Sequence, residues 1–269
     1  MNGAIFIVGI GPGGAEHMTP AAVAAIERAD VIVGYRTYLA QITHLARQIR
    51  REASGMRQEV ERVQAAVDLA VAGQRVAVVS GGDAGVYGMA GLVYEVLAER
   101  GIEDLAVEVI PGMSALNAAA ALLGAPLMTD FAVISLSDQL TPREAIMHRV
   151  TAAAQADFVI CFYNPQGRTR VAPWQQACAL LAQHRLPSTP VGVVRNATRP
   201  DQSVQIMTLA DLPQAEVDML TLVIVGNSTT IAHDGRMITP RGYQAKYDLT
   251  APAPARSARR GKVAAEQEE

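Results

Sequence analysis

The residues best suited by type and spacing to hold a reactive small molecule are Ser80-Gly81-Gly82-Asp83-Ala84-Gly85-Val86-Tyr87-Gly88. Glycines at 81, 82, 85 and 88 carry no Cβ, so the backbone there reaches positive φ and lets a ligand approach its peptide groups. Asp83 is the only acid in the loop and could bond a ribose, an amine or a metal. With no second carboxylate or histidine close in sequence, a metal is the weakest of the three. Two other small-residue stretches have similar character: Gly9-Ile10-Gly11-Pro12-Gly13-Gly14 and Pro111-Gly112-Met113-Ser114-Ala115. The first matches the dinucleotide fingerprint in its letters only. In that fingerprint the helix begins within the glycines and points its N-terminus at the pyrophosphate. Here Pro12 interrupts the motif, and the helix signal waits until Thr19-Pro20. The following strand pattern also ends in Gly34-Tyr35, with no acid to hold a ribose hydroxyl. A nicotinamide dinucleotide is therefore not expected.

The elements that must position these loops follow from periodicity. A valine-rich run at residues 76–79 reads as a buried strand leading into the Ser80 loop, and an apolar helix follows from about 89 to 97. Further strands are expected at 4–8, 30–33 and 107–110. Helices are expected at 20–28, 35–47, 56–71 and 115–123, the first capped by Thr19 and Pro20 and the last by Ser114. Strands alternating with helices imply a mainly parallel sheet covered on both faces. In such a sheet all three small-residue loops lie at the carboxyl edge, where ligands bind.

Gly124-Ala125-Pro126-Leu127 marks a restart. Beyond it, strands are expected at 131–136, 157–163, 190–194, 204–208 and 220–225, with helices at 142–154 and 171–184. The stretch 209–216 is short for a parallel crossover, so antiparallel pairs are expected in this half. The fold class is α/β: two αβα domains, 1–125 with a mainly parallel sheet and 126–248 with a mixed one. Residues 249–269 lack periodicity and are expected to be a disordered tail.

Composition narrows the function classes. Half of the 269 residues are apolar, 18% are charged, 4% are aromatic and the net charge is −3. Neither a basic stripe nor interleaved aromatics favour nucleic acid, and no apolar run reaches the roughly 18 residues of a membrane span. Cys161 and Cys178 have the pattern of buried free thiols, which agrees with a cytoplasmic location. The five histidines show no metal-ligand spacing, and no serine-hydrolase or P-loop motif occurs. Of 23 basic residues only Lys246 and Lys262 are lysines. Genomic base composition accounts for such a bias, and the sharper alternative is that guanidinium forks suit a substrate bearing many carboxylates.

Taken together, the Gly-x-Gly-Pro-Gly opening, the Ser-Gly-Gly-Asp loop and the Pro-Gly-x-Ser-Ala strand end resemble the tetrapyrrole (corrin and sirohaem pathway) methyltransferases. Further similarity lies in Leu123-Gly124-Ala125-Pro126-Leu127, Phe162-Tyr163-Asn164-Pro165 and Thr239-Pro240-Arg241-Gly242-Tyr243, so that the likeness runs from about residue 3 to 245. Ala84 departs from the proline common at that position. The resemblance implies methylation of carbon 17 of a corrin precursor with contraction of the macrocycle. The substrate would be metal-free or cobalt-bearing, and the cofactor S-adenosylmethionine (SAM), held between two domains of a homodimer. By the same likeness, Pro12, Gly81, Gly82, Asp83, Val86, Ser114, Ala115, Tyr163, Asn196, Ala197 and, more loosely, Thr221 would bind the cofactor. Ring contraction needs a base, for which Asp130, Asp138 and His233 are candidates. Arg36, Arg143, Arg168, Arg195 and Arg199 are candidate partners for the substrate's carboxylates.

Overall fold

The computed structural model describes residues 3–251. The first half alternates β1 (Ala4–Gly9), α1 (Pro20–Glu27), β2 (Val31–Tyr35), α2 (Arg36–Gln41), β3 (Arg50–Ser54), α3 (Glu59–Val71), β4 (Arg75–Ser80), α4 (Ala90–Glu99) and β5 (Ala106–Ile110). Its strands form one sheet in the order β3-β2-β4-β1-β5, with every pair parallel. Period-two alternation sends Ile5, Ile7, Val76 and Val78 to one face, against Val63, Val67, Val93 and Leu97 of α3 and α4. Phe6, Val8, Ala77 and Val79 face the other way, onto Ala22, Ala25 and Ile26 of α1. Two covered faces are why these strands read as unbroken apolar runs. Helix α1 starts where expected, the Thr19 hydroxyl accepting from the Ala22 N–H at 3.1 Å.

The second half contains α5 (Ala115–Leu123), the two-residue β6 (Gly124–Ala125), β7 (Phe131–Ser135), α6 (Arg143–Gln155), β8 (Val159–Tyr163), α7 (Ala172–His184), β9 (Pro190–Arg195), β10 (Ser203–Thr208), β11 (Thr221–Val225), β12 (Ile231–His233) and β13 (Arg236–Ile238). The main sheet runs β10-β9-β11-β8-β7 and is mixed, with only β7 and β8 pairing in parallel. Helices α6 and α7 cover one face through Ile146, Val150, Trp174 and Leu181. Helix α5 covers the other through Leu116, Ala119 and Leu123. The division expected at 125/126 thus falls after a helix that packs on the second sheet.

Three features depart from expectation. The helix expected at 35–47 stops at Gln41, and Ala46 takes a positive φ of 44°, which a helix does not accommodate. The chain continues into β3, an edge strand whose Arg-Arg-Glu-Ala-Ser sequence hides it from apolar pattern. Antiparallel pairing is present, but not for the reason of a short connection. β10 and β11 both pair antiparallel with β9 from opposite sides, so they run the same way. The segment between them does cross over β9, burying Leu209, Leu212 and Val217 in place of a full helix. Finally, the hairpin β12–β13 joins β6 in a small third sheet that its three-residue strands gave no means to foresee.

Among the described residues, no helix is long and apolar enough to cross a membrane, and no group of three His, Cys, Asp or Glu stands in position to hold a metal. The tail expectation for 249–269 lies, from residue 252 onward, outside the described residues. Cys161 on β8 and Cys178 on α7 are buried free thiols, and burial pushes each up to about 12. The thiolate is the reactive form. Neither cysteine should therefore react with a disulfide reagent at pH 8 in the folded protein, while both should react at once in guanidinium. Rapid labelling of the native chain would contradict the burial.

Candidate functional site

The loops leaving β1, β4 and β5 are knitted together at the carboxyl edge of the first sheet. Gly11 and Gly82 exchange backbone hydrogen bonds, the Gly11 N–H to the Gly82 carbonyl at 3.0 Å and the Gly82 N–H to the Gly11 carbonyl at 2.7 Å. Gly82 holds a φ of 68°, a conformation that glycine adopts without strain. Asp83 ties this loop to the next. Its Oδ1 accepts from the N–H groups of Gly85 (2.8 Å) and Val86 (3.2 Å), and its Oδ2 accepts from the Gly112 N–H at 2.9 Å. The carboxylate therefore holds the shape of the loop through its own backbone. The approach at Gly112 is so close that a Cβ there would stand 2.3 Å from the Gly82 carbonyl oxygen.

Elements of the second half meet this edge. Ser114 caps α5, its hydroxyl accepting from the Asn117 N–H at 3.3 Å. Tyr163, at the end of β8, accepts from the Leu116 N–H in the first turn of the same helix at 3.0 Å. Tyr87 reaches from the glycine loop to β7, donating to the Val133 carbonyl and accepting from the Ser135 N–H, both at 3.1 Å. The Tyr87 and Tyr163 rings pack with centroids 5.2 Å apart, and burial raises both phenols above their ordinary range. At neutral pH both are hydrogen-bond donors rather than bases. In the turn after β9, the buried Asn196 takes a φ of 51° and bonds through its N–H to the Leu220 carbonyl at 3.0 Å. The Thr198 hydroxyl lies 3.0 Å from the Gly13 carbonyl, and Arg199 Nε donates to the Pro12 carbonyl at 2.7 Å. The result is a crevice walled by loops of both sheets and rich in peptide groups.

The family profile for tetrapyrrole (corrin/porphyrin) methylases matches residues 4–213. The chain belongs to this family. Two similar relatives are a probable cobalt-factor III C(17)-methyltransferase of Salmonella typhimurium, 51% identical over 88% of this chain and 98% of that protein, and a precorrin-3B C(17)-methyltransferase of Sinorhizobium, 42% identical over 90% and 98%. A cobalt-factor III methyltransferase of Priestia megaterium is also 51% identical over 93% of this chain, which spans only 47% of that longer protein. Among solved structures, the methyltransferase CobJ superposes with a TM-score of 0.83 at 36% identity, covering 88% of this chain and all of that one (100%).

Within this tetrapyrrole methylase, Pro12, Gly81, Gly82, Asp83, Val86, Ser114, Ala115, Tyr163, Asn196 and Ala197 lie on the loops and strand ends that these bonds bring together. Thr221 is different. Its buried hydroxyl donates to Asp218 Oδ1 at 2.8 Å and accepts from the Asp218 N–H, so it holds the turn before β11.

The base and arginine candidates are scattered or already paired. Asp130 lies just before β7, at the opposite end of that strand from Ser135. His233 ends β12, in the hairpin that joins β6 beyond the C-terminus of α5, the far end of that helix from Ser114. Asp138 is on the correct side but is clasped by Arg143, with Nε at 2.9 Å and Nη2 at 2.7 Å. That hydrogen-bonded guanidinium holds the carboxyl below its usual range and occupies Arg143 as well. Arg195 is likewise paired, its Nε 2.9 Å from Asp218 Oδ2, and Arg199 serves as the strut to Pro12. Arg36 and Arg168 stay exposed, at the start of α2 and in the loop after β8. The arginine that sequence reasoning missed is Arg62, buried on α3 beside Gly81 and Met89. The available signal was a charged residue four positions before Ala66, on the apolar stripe of a helix.

Proposed function

We propose that the protein transfers the methyl group of SAM to carbon 17 of precorrin-3B, with contraction of the macrocycle to precorrin-4, in cobalamin biosynthesis. The observation that carries this reading is the crevice where the Gly11, Gly82 and Gly112 loops meet Tyr163 and the Asn196 turn. It fits SAM by its donor set: adjoining small residues expose peptide N–H and carbonyl groups to a ligand carrying an adenine, a ribose and an amino acid. At Gly82 a Cβ would find no atom nearer than Ala115 N at 3.7 Å, which leaves room over the backbone. Gly81, Gly82, Val86, Ala115 and Ala197 would hold the cofactor through backbone and small side chains, with Tyr163 and Ser114 beside them.

Bound SAM supplies an electrophilic methyl on a sulfonium centre. The chain's own contribution is alignment and exclusion of water. Fixing the reacting atoms in line can lower a barrier by roughly 7–11 kcal/mol in well-oriented systems. Asp83 freezes the glycine loop, and the Tyr87 bridge to Val133 and Ser135 closes one side of the crevice. The Tyr163 phenol, protonated at neutral pH, keeps its proton to donate to a polar ligand, whereas the Tyr87 proton is committed to the Val133 carbonyl.

In this reading 1–125 and 126–248 are the two domains, α5 reaching across from the first to cover the sheet of the second. The chain acts as a cytoplasmic homodimer. Cobalt-factor III is the alternative substrate, and 51% identity to relatives named for it supports that reading. Parallel incubations with SAM and each tetrapyrrole, followed by mass spectrometry, separate the two. The proposal expects a product one methyl heavier together with S-adenosylhomocysteine, from precorrin-3B in preference. Methyl transfer to neither substrate would end the reading.

A further inference from the structure

Beside the glycine loop, at the carboxyl ends of β2, β3 and β4, lies a cavity of about 200 Å³. Its walls include Tyr35, Tyr38, Arg62, Gly81 and Met89, with Met56 at the rim. Sites that take a whole drug-sized ligand run to roughly 300–1,000 Å³, so this one takes part of a ligand.

Arg62 defines its chemistry. Only 5% of the residue is exposed, yet among the described residues no carboxylate forms an ion pair with it. Its Nε donates to the Ser54 hydroxyl and its Nη2 to the Gly55 carbonyl at 2.8 Å, two contacts that aim the fork. The remaining nitrogen, Nη1, has only the Met89 sulfur at 3.7 Å, a weak acceptor. Glu59 also borders the cavity and its charge acts on Arg62, but the two form no ion pair, and the Glu59 carboxylate accepts from the Arg57 N–H at 3.2 Å. Burying a cation with no anion in contact is costly, and burial pulls this guanidinium below its ordinary range. The opposite wall is the Tyr35–Tyr38 pair, packed edge to face at 5.5 Å, with the Tyr38 phenol raised by burial and so a proton donor. At the mouth, Met56 (65% exposed) and Tyr87 (55% exposed) offer apolar surface to a flat ring system.

We infer that this cavity receives one carboxylate arm of the tetrapyrrole, bound by Arg62, while the macrocycle rests on Met56 and Tyr87 outside. The inference rests on the proposed function for its substrate class. The arm is an acetate or propionate of the macrocycle rather than the methionine carboxylate of SAM. The cavity shares Gly81 and Tyr87 with the glycine loop. Tyr35, Tyr38, Met56, Glu59 and Arg62, which complete its walls, lie on β2, α2, α3 and the turn before α3, away from the second sheet that shares the crevice assigned to SAM.

The test compares wild type with Arg62→Met in steady-state methyl transfer, alongside calorimetry with S-adenosylhomocysteine. The expected result is a tetrapyrrole KM raised roughly 10- to 100-fold, as for loss of a charge-assisted bond. The kcat at saturation and the S-adenosylhomocysteine affinity should change little. An unchanged KM in the folded variant overturns the assignment, and so does a parallel loss of S-adenosylhomocysteine affinity. Arg62→Met could fail to fold, so the exposed rim gives a second measurement. Met56→Asp should raise the tetrapyrrole KM by repelling the arm and Met56→Lys should not, and equal effects would overturn the proposal. Should wild type transfer no methyl, the proposed function fails separately. Absorbance titration with uroporphyrin III, a stable octacarboxylate, then still reports whether Arg62→Met weakens tetrapyrrole binding. Equal affinity for the two proteins would overturn the subsite.

Discussion

Asp83→Ala should give a folded protein that binds S-adenosylhomocysteine about 100-fold more weakly than wild type. The carboxylate accepts from three backbone N–H groups, those of Gly85, Val86 and Gly112. A hydrogen bond to a charged group contributes roughly 1.5–3 kcal/mol net, less where water can replace it. Gly85 and Val86 are exposed and Gly112 is half-buried. A total near 3 kcal/mol is therefore a reasonable sum, and it corresponds to about two decades of affinity. Because the lost bonds shape a loop rather than a core, the thermal midpoint should fall by only a few degrees. Calorimetric titration measures the first effect and a circular dichroism melt the second. Affinity within twofold of wild type would show that the loop keeps its shape without the carboxylate. Asp83→Asn, which retains one acceptor oxygen, should fall between the two.

Gly112→Ala should be more damaging despite adding a single methyl group. Its Cβ would lie 2.3 Å from the Gly82 carbonyl oxygen and 2.7 Å from both the Gly9 carbonyl carbon and oxygen. All of these are backbone atoms, held by the Gly11–Gly82 exchange, so no side chain can swing aside. Overpacking of this kind costs roughly 1–3 kcal/mol and sometimes more. Relief requires the β5 loop to move from Asp83, which breaks the Gly112 N–H bond and opens the crevice. The expected outcome is a stability loss of about 3 kcal/mol in urea titration, together with no measurable S-adenosylhomocysteine binding. Normal binding at normal stability would mean that the three loops are not knitted as described.

How much of this was legible in the sequence depended on how each element is stabilised. Strands covered on both faces, such as β1 and β4, announce themselves as apolar runs, and Thr19 and Ser114 mark helix starts by side-chain chemistry. The glycine loops were legible because close backbone approach leaves no room for a Cβ. Strand β3 was not, since an edge strand can be built from Arg, Glu and Ser. The crossover between β10 and β11 was misjudged because three buried apolar side chains replace a helix there.

In the site, backbone-built contacts were foreseen through residue type, whereas pairing was not. Arg195 faces Asp218, 23 positions away, whose proximity only folding creates, while the Asp138 partner of Arg143 is five residues off and is set by the turn before α6. Arg62 is marked in sequence only by its place on the apolar stripe of α3, a weak signal among so many surface arginines.

The bonds from Thr198 and Arg199 to the carbonyls of Gly13 and Pro12 join residues 185 and 187 positions apart. They set an order of events during synthesis. The five strands of the first sheet are complete by Ile110, but the wall of the crevice that Arg199 braces must wait for the turn after β9 to emerge. At roughly 5–20 residues per second the interval lasts several seconds. A nascent chain in that interval has its glycine loops but not its finished pocket. Under the proposed function, cofactor capture therefore requires that both halves have been made and have docked, and the ligand would stabilise only chains that have reached that point.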